Sequence, residues 1–448
     1  MASTYIKRVD TTDGNRKVWT WSAWVKRDVL GAVEHNMFSA GGNNVDESQF
    51  KFSSDQLSFF NDYETTGRVS ATSPSRKFRD TNGWYHFVWR HKVDEASNDD
   101  RWKIYINGER LQPSDYGSPT IPNEQGVPNR FTNKQMWFGA RAKAQYDSSY
   151  QYFSGLMSHI HFCDGYAYDA SDFGQYDANG VWTIKTSPSV NYGSKGFFIL
   201  KDGNSVTDQS GNGNDCTVGG GTLTNTEDNP SNVFATWNPL AVQKLANMSN
   251  GNLQGSASST GSKRAVSTIC ASSGKYYCEQ KVSSLSGSLV SWFGIFEMED
   301  FSNTQRSLSN GQYNWGYEND GTVDTNGSTH TSGVPTYTTG DIIGVALDLD
   351  NGYVYFSKNG TFINSGDPTS GSSGTGGFSV NITNNKIYGI GADIYAFDGT
   401  TTIQANYGNG YFGTTPVASA GTNASGIGIF EYDVPTGYTA LSTKGLNL

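Results

Sequence analysis

The 448-residue sequence predicts an all-β protein, two jelly-roll-like β-sandwich domains in tandem with very little helix. Three observations predict it. Aromatic and aliphatic residues alternate with polar ones over short runs, as in VWTWSAWVK from Val18, which suits strands with one face toward a core. The 53 glycines have no collagen-like period, so they serve tight turns between short strands. No capped segment of 3.6-residue periodicity runs beyond about a dozen residues, the length a marginal helix needs.

The elements follow in order. VWTWSAWVK sets Trp19, Trp21 and Trp24 among Val18, Thr20, Ser22 and Ala23 and reads as a half-buried strand. FKFSSDQLSFF reads as two short strands about a turn at Ser53 to Gln56. TNGWYHFVWRHK and RWKIYINGERL are longer strands, and in the second Asn107-Gly108 is a two-residue hairpin signal, because both positions need positive φ. KQMWFGARA, FSGLMSHIHFCDG and GFFILKDG continue the series, and the long polar connection from Gln112 to Asn133 suggests a functional or neighbour-ordered loop. From Ser210 to Leu240 hydrophobic residues thin out until Val233 and Phe234, which places the junction near Pro239 and gives domains at 1–238 and 239–448. A second strand series follows: GKYYCEQKV, SLVSWFGIF, YNWGYEN, GDIIGVALDLDNGYVYFSKNGTFI, NKIYGIGADIYAF and TIQANYGNGYF. In it Asp350-Asn351-Gly352 and Lys358-Asn359-Gly360 are hairpin turns.

The formal charge is −10, with 23 basic and 27 acidic residues up to Leu240 and 9 and 15 beyond it. Neither half offers the concentrated Lys/Arg face that displaces counterions from phosphates, so nucleic acid is not an expected partner. No apolar run nears the ~20 residues that cross a bilayer, which argues against membrane insertion. The opening MASTYIKRVDTTDGNRK lacks an apolar signal core. Cys163, Cys216, Cys270 and Cys278 form no CxxC pair, and four cysteines in a chain this long make no disulfide framework. They read as free structural thiols, with Cys278 turned to the same face as Tyr276.

The segments WTWSAWVKR, NGWYHFVWR, WKIYINGERL, MWFGARA and YFSGLMSHIHFCDG together resemble the laminin-G or concanavalin A-like lectin/glucanase superfamily. Trp21, Trp24, Trp84, His86, Tyr105, Asn107, Gly108, Gly139, Gly155 and Asp164 carry the likeness, over roughly residues 10 to 205. The second half resembles a SPRY domain through Phe293, Gly294, Gly340, Asp341, Gly344, Val345, Asp348, Gly352, Phe356, Asn359, Gly360, Asn406 and Gly408. With DQSGNGNDCTV, NPSNVFATWNPL and the closing FEYDVPTGYTALSTKGLNL, the combination looks like virion surface proteins of marine tailed bacteriophages. That resemblance implies a tail fibre, capsid fibre or decoration protein, assembled in the host cytoplasm and displayed on the virion surface. It also implies contacts with other virion proteins and a homo-oligomer, a trimer by analogy with fibres.

No enzyme is expected. Glucanases of this shape supply acids as Glu-x-Asp-x-x-Glu, and hydrolysis needs two carboxylates about 5 to 9 Å apart. The nearest approach, Glu297-Met298-Glu299-Asp300, lacks the third acid and sits at a strand end. No GxSxG elbow or phosphate loop is present. His159 and His161 in SHIHF could ligate a metal, but without a third ligand they point to a surface or subunit-contact role, with Ile160 and Phe162 on the opposite face. No cofactor is assigned. Calcium is the one ion considered, on the oxygen-rich loop with Asp202, Asn204, Asp208, Asn212 and Asp215, where the competing reading is turn-forming Asn and Asp that satisfy their own backbone. Tyr313, Trp315 and Tyr317 in GQYNWGYEND share one strand face and form the candidate platform for a host glycan, against which stands ordinary core packing. Two other readings stay open: a secreted polysaccharide-degrading glycoside hydrolase, and a SPRY-type peptide-binding adaptor.

Overall fold

A computed structural model of the chain describes residues 3–10, 12, 14–41, 47–63, 67–72, 76–116, 135–142, 148–241, 245–258, 261–285, 289–299, 308, 311–396 and 399–448. The chain divides into two compact units, Met1–Asn225 and Thr226–Leu448, each almost wholly β. Among the described residues the one α-helix is the single turn Asn98–Arg101, and no helix is long and apolar enough to cross a membrane.

In the first unit a seven-stranded sheet runs, edge to edge, through Thr217–Gly220, Tyr5–Val9, Gln135–Phe138, Glu34–Gly41, Glu47–Ser53, Gln56–Tyr63 and Gly67–Thr72. A six-stranded sheet runs through Phe197–Ile199, Gly155–Asp164, Val18–Arg27, Tyr85–Lys92, Trp102–Ile106 and Glu109–Arg110. Alternation turns Trp19, Trp21, Ala23 and Val25 of one sheet toward Phe38, Phe50 and Phe52 of the other. Trp21 stacks on Phe38 with ring centres 5.5 Å apart and meets Phe50 edge-on at 5.2 Å. The aromatic-rich composition is thus largely this core.

The hairpin signals land where φ must be positive: Asn107 and Gly108 at 49° and 85°, Asn359 and Gly360 at 47° and 81°. The turn read at Ser53 to Gln56 is also a two-residue hairpin, with Ser54 and Asp55 at 50° and 64°. The Val18–Arg27 strand differs from the half-buried expectation. It is buried on both faces, because a later segment covers its outer side. Of the Gln112–Asn133 connection, 117–133 lies outside the described residues.

The second unit also has two layers. One sheet runs through Ala246–Ser249, Gln254–Ala257, Thr401–Asn406, Lys275–Ser284, Ile342–Asp348, Tyr353–Lys358 and Thr361–Phe362. Phe378–Ser379 adds to Tyr353–Lys358, and Thr439–Ala440 pairs parallel to Lys275–Ser284. The facing sheet runs through Gly261–Val266, Tyr388–Ala396, Leu289–Glu297, Trp315–Glu318, Thr322–Thr325 and Ser328–Ser332. Phe293, Ile295, Tyr317, Val345, Phe356, Ile390 and Tyr407 fill the space between them. All four cysteines are free, and Cys278 shares the core with Tyr276.

The units divide at Asn225 and Thr226 rather than near Pro239. The poorly hydrophobic stretch after Ser210 gives the first unit its edge strand Thr217–Gly220. Ala235 and Trp237 enter the second core, and the Ala235 amide donates to the Leu441 carbonyl at 2.9 Å.

Candidate binding site

The outer face of the six-stranded sheet in the first unit presents Thr20, Ser22 and Trp24 beside His86, Val88 and Arg90, by the same alternation that sends their neighbours inward. The segment after Asp164 folds over this face. It contains the 3-10 turn Ala170–Asp172 and a small antiparallel pair, Gly174–Tyr176 with Trp182–Ile184. Phe173, Trp182, Tyr168 and Tyr192 pack on Val88, Tyr105 and Cys163 as a second, smaller core. The turn between the two short strands is held by Asp177, whose Oδ1 accepts the amides of Asn179 and Val181 at 2.9 Å each.

At one end of this cover lies a pocket of about 430 Å³, within the range of small-molecule sites. Its aromatic wall is Trp182, Tyr176 and Tyr105, and its polar rim is Asp169, Ser171, Gln175 and Lys185. Trp182 is wedged between two glycines: a Cβ on Gly108 would come within 2.5 Å of its ring and one on Gly174 within 2.4 Å. Tyr176 meets Trp182 edge-on at 4.9 Å and is 53% exposed, a flat apolar surface offered to solvent.

Hydrogen bonds fix the rest. The Tyr105 hydroxyl donates to Asp169 Oδ1 at 2.5 Å, and Arg90 Nε lies 3.5 Å from the same oxygen. Burial and then Asp169 raise the Tyr105 phenol above its ordinary value, so it stays a donor. Lys185 Nζ donates to the Ser171 carbonyl at 2.7 Å. Trp182 Nε1 donates to His86 Nδ1 at 3.1 Å, while His86 Nε2 lies 2.9 Å from Ser22 Oγ. Burial first, and the neighbouring His159 second, lower His86 to about 3, so its ring is neutral and free to accept the indole N–H. Among the described residues Asp169 is the single carboxylate lining the pocket. The arrangement offers a stacking face beside hydrogen-bond donors and acceptors.

The residues expected from sequence fall elsewhere. Trp315 is 7% exposed and Tyr317 wholly buried, and Tyr313 packs against the same core. Trp315 Nε1 donates to the Ser379 carbonyl at 2.9 Å, and the Tyr317 hydroxyl donates to the Pro335 carbonyl. The supposed platform faces inward, because the opposing sheet takes that side of the strand. His159 and His161 are buried rather than at the surface: Phe198 of the Phe197–Ile199 strand stacks on His161 at 4.0 Å, and the Tyr192 hydroxyl lies 2.9 Å from its Nδ1. Ile160 and Phe162 do fill the opposite face.

In the calcium-candidate loop, Asp208 accepts the amides of Phe198, Ser210 and Asn214, and Asp215 accepts that of Asp208. Asn212 donates to the carbonyls of Gly193 and Gly196, and Asn204 to that of Leu223. Asp202 is exposed. These side chains tie down backbone, and no three His, Cys, Asp or Glu among the described residues gather as they stand to hold a metal. Glu297 is buried, Glu299 exposed, and Lys386 Nζ bridges them at 3.6 and 3.4 Å, while Asp300 lies outside the described residues.

The sequence reasoning missed the pocket. One signal was present in GQYDANGVWTI, where a turn-forming Asp-Ala-Asn-Gly separates two short aromatic-bearing runs.

Comparison with known families matches residues 2–167 to the concanavalin A-like lectin/glucanases superfamily and residues 275–376 to the SPRY domain. Among solved structures, the SPRY domain of human HERC1 is similar at 16% identity and a TM-score of 0.30, over 38% of this chain and 96% of that one. The native heptameric SAP-like pentraxin from Limulus polyphemus is similar at 16% identity and 0.29, over 50% and 91%. No curated protein matches. The chain therefore carries a laminin-G/concanavalin A-like domain followed by a SPRY domain.

Proposed function

We propose that this protein is a non-catalytic structural component of a bacteriophage virion, a tail fibre or a capsid fibre or decoration protein, whose first domain binds host surface glycans. Concanavalin A-like and SPRY domains suggest carbohydrate or protein binding. The observation that carries the glycan reading is the pocket in which exposed Tyr176 stands against Trp182 beside Asp169, Gln175 and Lys185. A sugar ring lays its C–H face on an aromatic and turns its hydroxyls to amide, carboxylate and ammonium groups, which is the set present. The resemblance to marine phage proteins supports the virion setting and, through it, contacts with other virion proteins and a trimeric assembly. Assembly matters energetically, because many weak sites on one particle gain avidity through effective concentration.

Two experiments test this reading. Purified protein is assayed for adsorption to host polysaccharide, with Tyr176→Ala and Gln175→Ala expected to weaken adsorption and no reducing ends released. Unchanged adsorption by both variants rejects the pocket, and release of reducing ends rejects the non-catalytic reading. Immunogold labelling of intact particles tests display on the virion, and absence of label rejects it.

A further inference from the structure

The two aromatic walls of the pocket are tied to one buried residue. His86, in the Tyr85–Lys92 strand, is fully buried, and its imidazole lies against two indoles, Trp24 at 4.8 Å and Trp182 at 5.9 Å. Its two nitrogens have separate tasks. Nδ1 accepts the Trp182 N–H at 3.1 Å, so the neutral ring carries its proton on Nε2, which donates to Ser22 Oγ at 2.9 Å. The Ser22 hydroxyl thus holds His86 in the tautomer that Trp182 requires.

The main chain of His86 makes a second connection. Its amide donates to Asn107 Oδ1 at 2.7 Å and its carbonyl accepts the Asn107 amide at 2.9 Å, while the Asn107 carbonyl accepts the Tyr176 hydroxyl at 3.3 Å. Gly108 and Gly174 confine the plane of the Trp182 ring, and the bond to Nδ1 sets which edge turns inward. With its N–H engaged, Trp182 offers a ligand its face alone. A side chain on a short hairpin loses rotamer freedom when a ligand stacks on it, and an acceptor that fixes it beforehand removes that cost.

We propose that His86 is the positioning residue of the pocket, setting Trp182 through Nδ1 and tethering Tyr176 through Asn107, so that the stacking surface is in place before a saccharide arrives. This rests on the glycan reading of the pocket. A histidine that merely filled space would be replaced best by phenylalanine and worst by a small polar residue. Positioning gives the opposite order for binding, because the acceptor, not the ring volume, carries the role.

Two full-length variants separate the alternatives, each with Ser22→Ala so that no buried hydroxyl is stranded. His86→Phe keeps a ring against Trp24 and Trp182 but has no acceptor. His86→Asn gives up volume but returns an amide oxygen at the place of Nδ1. Adsorption is measured on immobilised agarose, laminarin, alginate and chitin, with the urea midpoint of Cys163 as the measure of folding. On the polysaccharide that holds the parent most tightly, the Phe variant should bind roughly fivefold more weakly, the scale of one neutral hydrogen bond. The Asn variant should bind better than the Phe variant although its urea midpoint is lower. The indole N–H resonance of Trp182, identified among the 11 tryptophans by Trp182→Phe, should move in the Phe variant. Parent-like adsorption or an unmoved resonance in the Phe variant, or an Asn variant that binds no better than the Phe variant, overturns the positioning role, and the pocket itself stands if Tyr176→Ala still weakens adsorption. A parent that adsorbs to none of the four polysaccharides overturns the glycan reading and this proposal with it.

Discussion

Acidification from pH 7 to pH 5 should weaken the first unit and strengthen the second. Five histidines of the first unit are buried: His35, His86, His91, His159 and His161. Burial, the largest cause in each case, lowers His35 and His159 to about 4 and His86 and His91 to about 3, and moves His161 in the same direction. Their folded state holds them neutral, whereas the unfolded chain takes up protons below about 6.5. The stability they contribute is therefore complete above that value and drains as the pH falls toward 4. At pH 5 each such imidazole costs about 2 kcal/mol, and several together are comparable with a domain's whole stability of about 5–15 kcal/mol. In the second unit, burial raises the fully enclosed Glu279 to about 7, against the opposing amides of Glu431 and Tyr432 at 2.8 Å each. A carboxyl group raised in this way contributes its stability in full below about 4.5 and loses it as pH rises through 7, so the same change strengthens this unit by about 2 kcal/mol. Cys163 reports the first unit and Cys278 the second, both wholly buried. Labelling the full chain with dithiodipyridine across a urea series at both pH values, with the modified cysteine identified by mass, reads each unit separately. If Cys163 becomes reactive at the same or higher urea at pH 5, the imidazoles are not held neutral by burial and the reasoning is refuted.

Trp315→Ala should act on stability rather than on a surface: deleting a 7%-exposed indole from the core costs about 3–5 kcal/mol, read as a fall in the urea midpoint of Cys278. Glu279→Ala leaves the Glu431 and Tyr432 amides without their acceptor and should cost about 2–5 kcal/mol, whereas Glu279→Gln keeps an acceptor and should chiefly flatten the pH dependence of the second unit; equal losses in the two variants would contradict the clamp. Gly174→Ala places a methyl group 2.4 Å from the Trp182 ring, so it should displace that ring and weaken polysaccharide adsorption while the Cys278 midpoint stays unchanged.

What the sequence discloses follows from what a period-two pattern can encode. Alternation tells which side chains share a face, and Trp19 and Trp21 are core residues as their spacing implies, whereas Trp24, grouped with them in the sequence, falls on the outer face beside His86. Asn107-Gly108 and Asn359-Gly360 are legible because a two-residue hairpin constrains backbone sign locally. Alternation does not tell which of two faces is covered. Tyr313, Trp315 and Tyr317 do share a face, but the opposing sheet in sequence-distant strands covers it. His161 reads as an outward residue and is buried by Phe198 and Tyr192, which arrive some thirty residues later. The junction fails for a related reason: composition separates poor from rich hydrophobic stretches, yet the partner of Trp237 is decided by the second unit's strands. The pocket is harder still. Its floor needs Gly108 and Gly174 on either side of one indole, and its oxygen acceptor Asp169 is held by Tyr105, so two segments must fold together before any of them reads as a site. A binding surface on a sandwich is thus set by what folds over an outer face. The place to look in such a sequence is the connection that carries aromatics without the strand period, here the stretch from Tyr166 to Tyr192.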